Sequence, residues 1–144
     1  FLGYALWVAK GREVKCAVAE KALCNFKARI RQLTRRSGGR SIAQVVDRLR
    51  PYLLGWKAYF GMAQTPGVWR KLDEWLRHRL RAIQLKHWKR PGPIYRELKV
   101  LGAAESVARQ VAVNSRRWWR NSNRLLKTVL TIAYFDRLGL PRFS

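Results

Sequence analysis

Three apolar stripes at helical spacing set the limits on this chain. Leu23, Phe26, Ile30 and Leu33 recur every three or four residues, and Ser37-Gly38-Gly39 closes the run. Ile42, Val45, Leu49, Leu53, Trp56 and Phe60 form the second stripe. Trp69, Leu72, Leu76, Leu80, Ile83 and His87 form the third, which stops at Pro91-Gly92-Pro93. A strand alternates at period two and would leave half of each stripe in water. Long helices are therefore predicted from about Glu20 to Arg35, from Ser41 onward, and from Thr65 to about Arg90.

Local chemistry agrees with these starts. Ser41 and Gln44 match a capping box, which satisfies orphan amides at a helix N-terminus. Thr65-Pro66 offers a threonine cap and a proline in the first helical position. Pro51 sits inside the second stripe and lacks an amide hydrogen, so a kink or short break is expected there. On the third helix Arg70, Arg77, Arg81 and Trp88 fall together on a flank of the apolar stripe.

The flanking thirds read differently. Phe1 to Val8 is apolar and aromatic, Lys10-Gly11-Arg12 signals a turn, and Glu13 to Val18 alternates loosely. That predicts a hairpin, which is marginal alone and is expected to complete a sheet supplied elsewhere. After the third helix come short helical segments, Ile94 to Leu101 and Glu105 to Val113. A last helix is expected from Asn121 or Ser122 to Leu138, with Gly139 past its end. The fold class is thus mainly α, with an N-terminal β-hairpin, a bundle of three long helices and several shorter C-terminal helices.

Charge narrows the partners. The 144 residues carry 31 Lys and Arg against 8 Asp and Glu, a formal net charge of +23. With 48% apolar residues and seven tryptophans the chain can build a core, unlike a disordered basic tail. From Glu20 to Arg40 there are seven bases and one acid, and from Thr65 to Arg90 eight bases and two acids. From Arg116 to Lys127 there are five bases and no acid. A solvated face would mix its signs, whereas this excess repels itself until a polyanion neutralises it. Nucleic acid is the first candidate, and arginine's planar fork suits phosphate. No stretch is long and apolar enough for a membrane span. A membrane-surface role is disfavoured because the apolar residues are committed to a core. A pure protein-interaction module would leave the charge unexplained.

Catalysis finds little footing. Asp73-Glu74 is the sole adjacent acidic pair, and consecutive helical residues point about 100° apart. Intrahelical pairing of Asp73 with Arg77, and of Glu74 with Arg70 or His78, is expected instead. No phosphate loop, dinucleotide fingerprint, nucleophile elbow or zinc spacing occurs. His87 reads as a core residue and His78 as solvated or phosphate-facing. Cys16 and Cys24 read as free, partly buried thiols of a cytoplasmic protein. Trp56, Tyr59, Phe60, Trp69 and Trp75 sit at core spacings. Trp118 and Trp119, flanked by arginine, are base-stacking candidates, although adjacent side chains diverge and one of them should join the core.

The run Leu33-Thr34-Arg35-Arg36-Ser37-Gly38-Gly39-Arg40-Ser41-Ile42-Ala43-Gln44-Val45-Val46, followed by Pro51-Tyr52-Leu53-Leu54-Gly55-Trp56 and Tyr59-Phe60, resembles the maturase-specific domain of group II intron-encoded reverse transcriptases. So do Leu72-Asp73-Glu74-Trp75-Leu76-Arg77-His78-Arg79-Leu80-Arg81 and Lys86-His87-Trp88-Lys89-Arg90-Pro91. Trp119-Arg120-Asn121-Ser122, Ala133-Tyr134-Phe135 and Gly139-Leu140-Pro141 extend the likeness, and Phe1-Leu2-Gly3-Tyr4 resembles the end of a polymerase palm.

The resemblance implies three parts: residues 1–18 as the palm's last hairpin, 19–90 as the thumb and maturase helices, and 91–144 as the C-terminal helical part. It implies a fragment of a longer RNA-directed DNA polymerase. The fragment itself would be no enzyme, since the family's acidic motif is absent, and it would hold no metal or cofactor. Magnesium would belong to the missing palm. The implied partners are group II intron RNA and the RNA–DNA template–primer duplex. A non-intronic reverse transcriptase, such as a CRISPR-linked one, would share the same region. Ala19 stands where the family often has serine or threonine, so the first helix should be weakly capped. The expected phosphate contacts are Arg35, Arg36, Arg40, Arg70, Arg77, Arg81, Lys89 and Arg90, with Arg116, Arg117 and Arg120 as a second surface.

Overall fold

The computed structural model describes residues 3–35 and 40–144; Phe1, Leu2, Arg36 and the Ser37-Gly38-Gly39 breaker lie outside the described residues. Strands β1 (Tyr4–Val8) and β2 (Val14–Val18) pair antiparallel, with Tyr4 opposite Val18 and Val8 opposite Val14. Gly11 and Arg12 both take positive φ, 103° and 63°, which turns the chain where the sequence signals it. The hairpin is anchored at its base. Tyr4 donates its hydroxyl to the Tyr59 carbonyl, and the Gln64 amide donates to the Cys16 carbonyl at 2.8 Å. Val18, Phe60 and Ala63 close a small core beneath it. Leu6, Trp7, Val8 and Val14 remain exposed on the strands.

Among the described residues seven α-helices follow: α1 (Glu20–Leu33), α2 (Ile42–Tyr59), α3 (Pro66–Trp88), α4 (Pro91–Val100), α5 (Glu105–Val113), α6 (Trp118–Asn123) and α7 (Ile132–Arg137). A 3-10 turn, Leu126–Thr128, lies between the last two. The mainly helical architecture with an N-terminal hairpin is the one the sequence predicts. One buried cluster runs from Phe26 on α1 to Phe143, across α2, α3 and all the later elements except α6. Phe26, Trp56, Trp69 and Phe143 meet within it, with ring centroids 4.4–5.8 Å apart. Each fully buried large side chain here contributes roughly 1.5–3 kcal/mol relative to exposure.

The caps divide. Ser41 and Gln44 form the complete capping box. Ala19 has no side chain to cap α1, as expected. Pro66 opens α3, but Thr65 makes no capping bond and its hydroxyl oxygen is buried without a partner. Pro91 and Pro93 do more than stop α3, since Pro91 begins α4. Gly102 follows α4 at φ 87° and Gly139 follows α7 at φ 89°, the left-handed turns that only glycine makes without strain.

Three expectations are corrected. Of the kink or short break expected at Pro51, the break does not occur, and α2 continues to Tyr59. Its ring lies on the exposed side, while Leu49 and Leu53 beside it are fully buried, so core packing carries the helix past the missing bond. The last helix is not continuous from Asn121 to Leu138. Leu126, Leu130 and Phe135 are all fully buried, and Phe135 would point about 140° away from Leu130 on a straight helix. The chain instead breaks and restarts at Thr131, whose hydroxyl accepts the Tyr134 amide at 3.3 Å. Finally, α3 is not buried on one stripe alone. Leu80 to Leu85 are all buried, because α2, α4, α6 and the 3-10 turn surround the helix.

Tyr59 is also exposed rather than core. Both cysteines are free; Cys16 is half-buried, but Cys24 is exposed, against the partly buried expectation.

Candidate nucleic-acid interface

Helix α1 carries Lys27 and Arg31 one turn apart, so they share a face, and Arg35 follows just past its C-terminus. The Lys27 ammonium and Arg31 guanidinium lie 5.5 and 5.6 Å from the centroid of the Trp75 ring on α3. Trp75 packs its other side against the core. One turn further along α3, Arg79 Nε donates to the Thr34 hydroxyl at 2.7 Å, and that hydroxyl donates to the Ile30 carbonyl at 2.6 Å. Burial, then the neighbouring Arg31 charge, pulls the Arg79 pKa below the usual arginine range.

The face continues onto α6. Thr34, Arg35, Arg79, Lys86, Trp118 and Trp119 line a cavity of about 200 Å³. The His78 ring stacks on Trp119 with centroids 3.8 Å apart, and His78 Nε2 lies 2.8 Å from the Trp119 carbonyl. Beyond it Trp118 and Trp119 border an open hollow of about 400 Å³ with Arg116, Arg117 and Arg120. Elements far apart in sequence thus form one basic and aromatic surface. The described ion pairs join Arg77 to Asp73 and Asp136, Arg109 to Glu105, and Arg142 to Asp136; none involves α1 or α6. Glu74 makes none of the pairs expected of it, whereas the Asp73–Arg77 pair forms at 3.4 Å.

The residues expected to contact phosphate are scattered relative to this face. Arg35, Arg116, Arg117 and Arg120 belong to it, and Trp118 and Trp119 stand at its centre. Arg40 is exposed just ahead of α2, and Lys89 and Arg90 are exposed at the α3–α4 junction. Arg70 is exposed on a separate groove of about 640 Å³, bordered also by Lys127 and Arg142. Arg36 lies outside the described residues.

Arg77 and Arg81 are largely buried, and both border the same groove as Arg70. Their residues are only 3% and 5% exposed. Arg81 Nε donates to the Leu130 carbonyl at 2.7 Å, and its guanidinium lies 5.6 Å from the Phe135 ring centroid. Burial, helped by the Arg77 charge, lowers its pKa to about 10, which still leaves it cationic at neutral pH. Arg77 is held by Asp73 and Asp136. Both arginines make contacts within the fold, because α3 is central and its charged flank meets α7 and the chain's last residues.

Lys27, Arg31, Arg79 and Lys86 were not among the contacts expected from sequence, and Trp75 was read only as a core residue. The signal was present: 27, 31 and 35 repeat every fourth residue, and 75, 79 and 86 are spaced by four and seven, which places them on one side of a helix. His78 is half-buried, with one ring face stacked on Trp119. His87 is half-buried, and burial followed by the Lys89 charge lowers its pKa. Among the described residues no cluster of three His, Cys, Asp or Glu side chains could hold a metal, and no helix is long and apolar enough to cross a membrane.

The sequence model of one family, described as group II intron, maturase-specific domain, matches residues 23–102. That span covers α2, α3 and α4 entirely, with nearly all of α1, and stops short of α6. No curated protein matches at a significant level. The matched residues make up more than half of the 144, and on that basis the chain belongs to the group II intron maturase-specific domain family.

Proposed function

We propose that the chain binds group II intron RNA and holds it in its splicing-active fold. In the intact reverse transcriptase the same helices would also grip the RNA–DNA template–primer duplex. The observation that carries this reading is the continuous basic face across α1, α3 and α6, whose α1 and α6 cations have no described acidic partner. Such a face reads phosphate and A-form shape rather than base sequence. Its two working parts are charge and a rigid helical support, and neither requires a nucleophile or a metal.

The test is competitive binding across a salt series, with structured intron RNA, RNA–DNA hybrid, duplex DNA and heparin competing for the purified chain. A preference for structured RNA or hybrid that survives near-physiological salt supports the reading. Equal binding of all four, lost together as salt rises, overturns it and leaves a generic polyanion binder.

A further inference from the structure

We propose that Trp119 is the stacking platform for one unpaired nucleobase, so that the basic face distinguishes looped or single-stranded RNA from plain duplex. The proposal deepens the RNA-binding reading above and rests on it.

The two tryptophans of the pair have different fates. Trp118 is half-buried against the core, and the Lys86 ammonium sits 3.3 Å from its ring centroid. One face is thereby taken by a cation, and part of the ring packs on the core. Trp119 stands edge-on to Trp118, with an interplanar angle of 83°, and remains 41% exposed. A large apolar ring left in water at the centre of a cationic surface is the arrangement that base stacking uses.

Trp119 is also held still. His78 backs its ring at 3.8 Å with the planes 26° apart. The Trp119 carbonyl accepts from the Ser122 hydroxyl at 2.8 Å and lies at the same distance from His78 Nε2. Ring and backbone are therefore fixed to α3 before any ligand arrives, which lowers the ordering cost of binding. His78 acts as a positioning residue.

The charges around the ring select a nucleotide over another planar group. Arg116, Arg117 and Arg120 border the hollow on one side of the tryptophan pair, and Arg35, Arg79 and Lys86 the cavity on the other. A base on Trp119 would have its flanking phosphates within a cationic rim in both chain directions. A base inside an A-form helix has both faces stacked and cannot offer one to the ring.

Two labelled RNAs test this: a single-stranded oligonucleotide carrying one 5-iodouridine, and a blunt duplex of the same sequence. Trp119→Ala should weaken the single strand about 5- to 150-fold, leave the duplex within about twofold, and Trp119→Tyr should restore most of the loss. Photo-crosslinking of the wild-type chain should map to Trp119, which keeps the proposal testable if the alanine variant does not fold. Equal losses for both RNAs, no loss for either, or crosslinks confined to other residues would overturn it. Failure of the wild type to bind any RNA would instead overturn the RNA-binding reading, and this proposal with it.

Discussion

Asp73 on α3 and Phe143 are 70 residues apart in sequence, and the Phe143 amide donates directly to Asp73 Oδ1 at 2.9 Å. Ser144 adds its amide at 3.0 Å and its hydroxyl at 2.7 Å to the other carboxylate oxygen. Arg77 Nη1 completes the set at 3.4 Å. One buried carboxylate thus answers three donors of the chain's last residues and a buried cation. The same contact seats the Phe143 ring among Phe26, Trp56 and Trp69.

Replacing that carboxylate with an amide should be costly. Asp73→Asn turns an amide group toward donors and leaves Arg77 short of its closest anion. Breaking a buried pair in this way costs about 3–5 kcal/mol. The thermal midpoint should fall by roughly 10 °C. Circular dichroism melting checks it, and a shift of only about 1 °C would show that the pair is not holding the tail to α3.

Arg81 separates structural from ligand-binding arginines. Arg81→Met keeps volume on Phe135 but leaves the Leu130 carbonyl without its donor. An unsatisfied buried acceptor costs about 1–3 kcal/mol. The variant should therefore lose that much in urea unfolding, yet bind RNA within about twofold of wild type once folded. A large affinity loss in a folded variant would return Arg81 to the interface.

How far the sequence reaches is visible in these residues. The helix starts at Ser41 and Pro66, the turn at Gly11 and the stop at Gly139 rest on local chemistry, so they were legible. Arg77 and Arg81 were not. Their burial depends on α7 and the chain's last residues returning to α3, and a helical wheel cannot tell a solvated charged flank from one covered by distant chain. The same long-range closure assembles the candidate face: Arg35 and Trp119 border one cavity although 84 positions separate them. Charge counting found the clusters from Glu20 to Arg40 and from Arg116 to Lys127, but only the fold joins them.

Pro51 offers a gain in stability. It lies in the interior of α2 with its ring in solvent, and it deprives the Asp47 carbonyl of the usual helical partner. Pro51→Ala restores that amide without disturbing Leu49 or Leu53. Proline costs about 3 kcal/mol relative to alanine in a helix interior. The alanine variant should be more stable by up to about that amount in urea unfolding. A destabilised variant would mean that the ring makes a packing contribution its exposure conceals.

The salt dependence of RNA binding should report the arginines in and just ahead of α6 directly. Each cation that neutralises a phosphate releases counterions, and the slope of log K against log salt changes by about 0.7–0.9 per contact. Arg116→Gln, Arg117→Gln and Arg120→Gln together should therefore flatten the slope by about 2–3. Arg109→Gln is the control. Arg109 is equally basic and well exposed, but it lies on α5 and pairs with Glu105 at 2.8 Å. Its replacement should leave the slope unchanged. A flat response to the triple substitution would confine the interface to α1 and α3. An equal response to Arg109→Gln would mean that overall charge, rather than the face across α1, α3 and α6, governs the affinity.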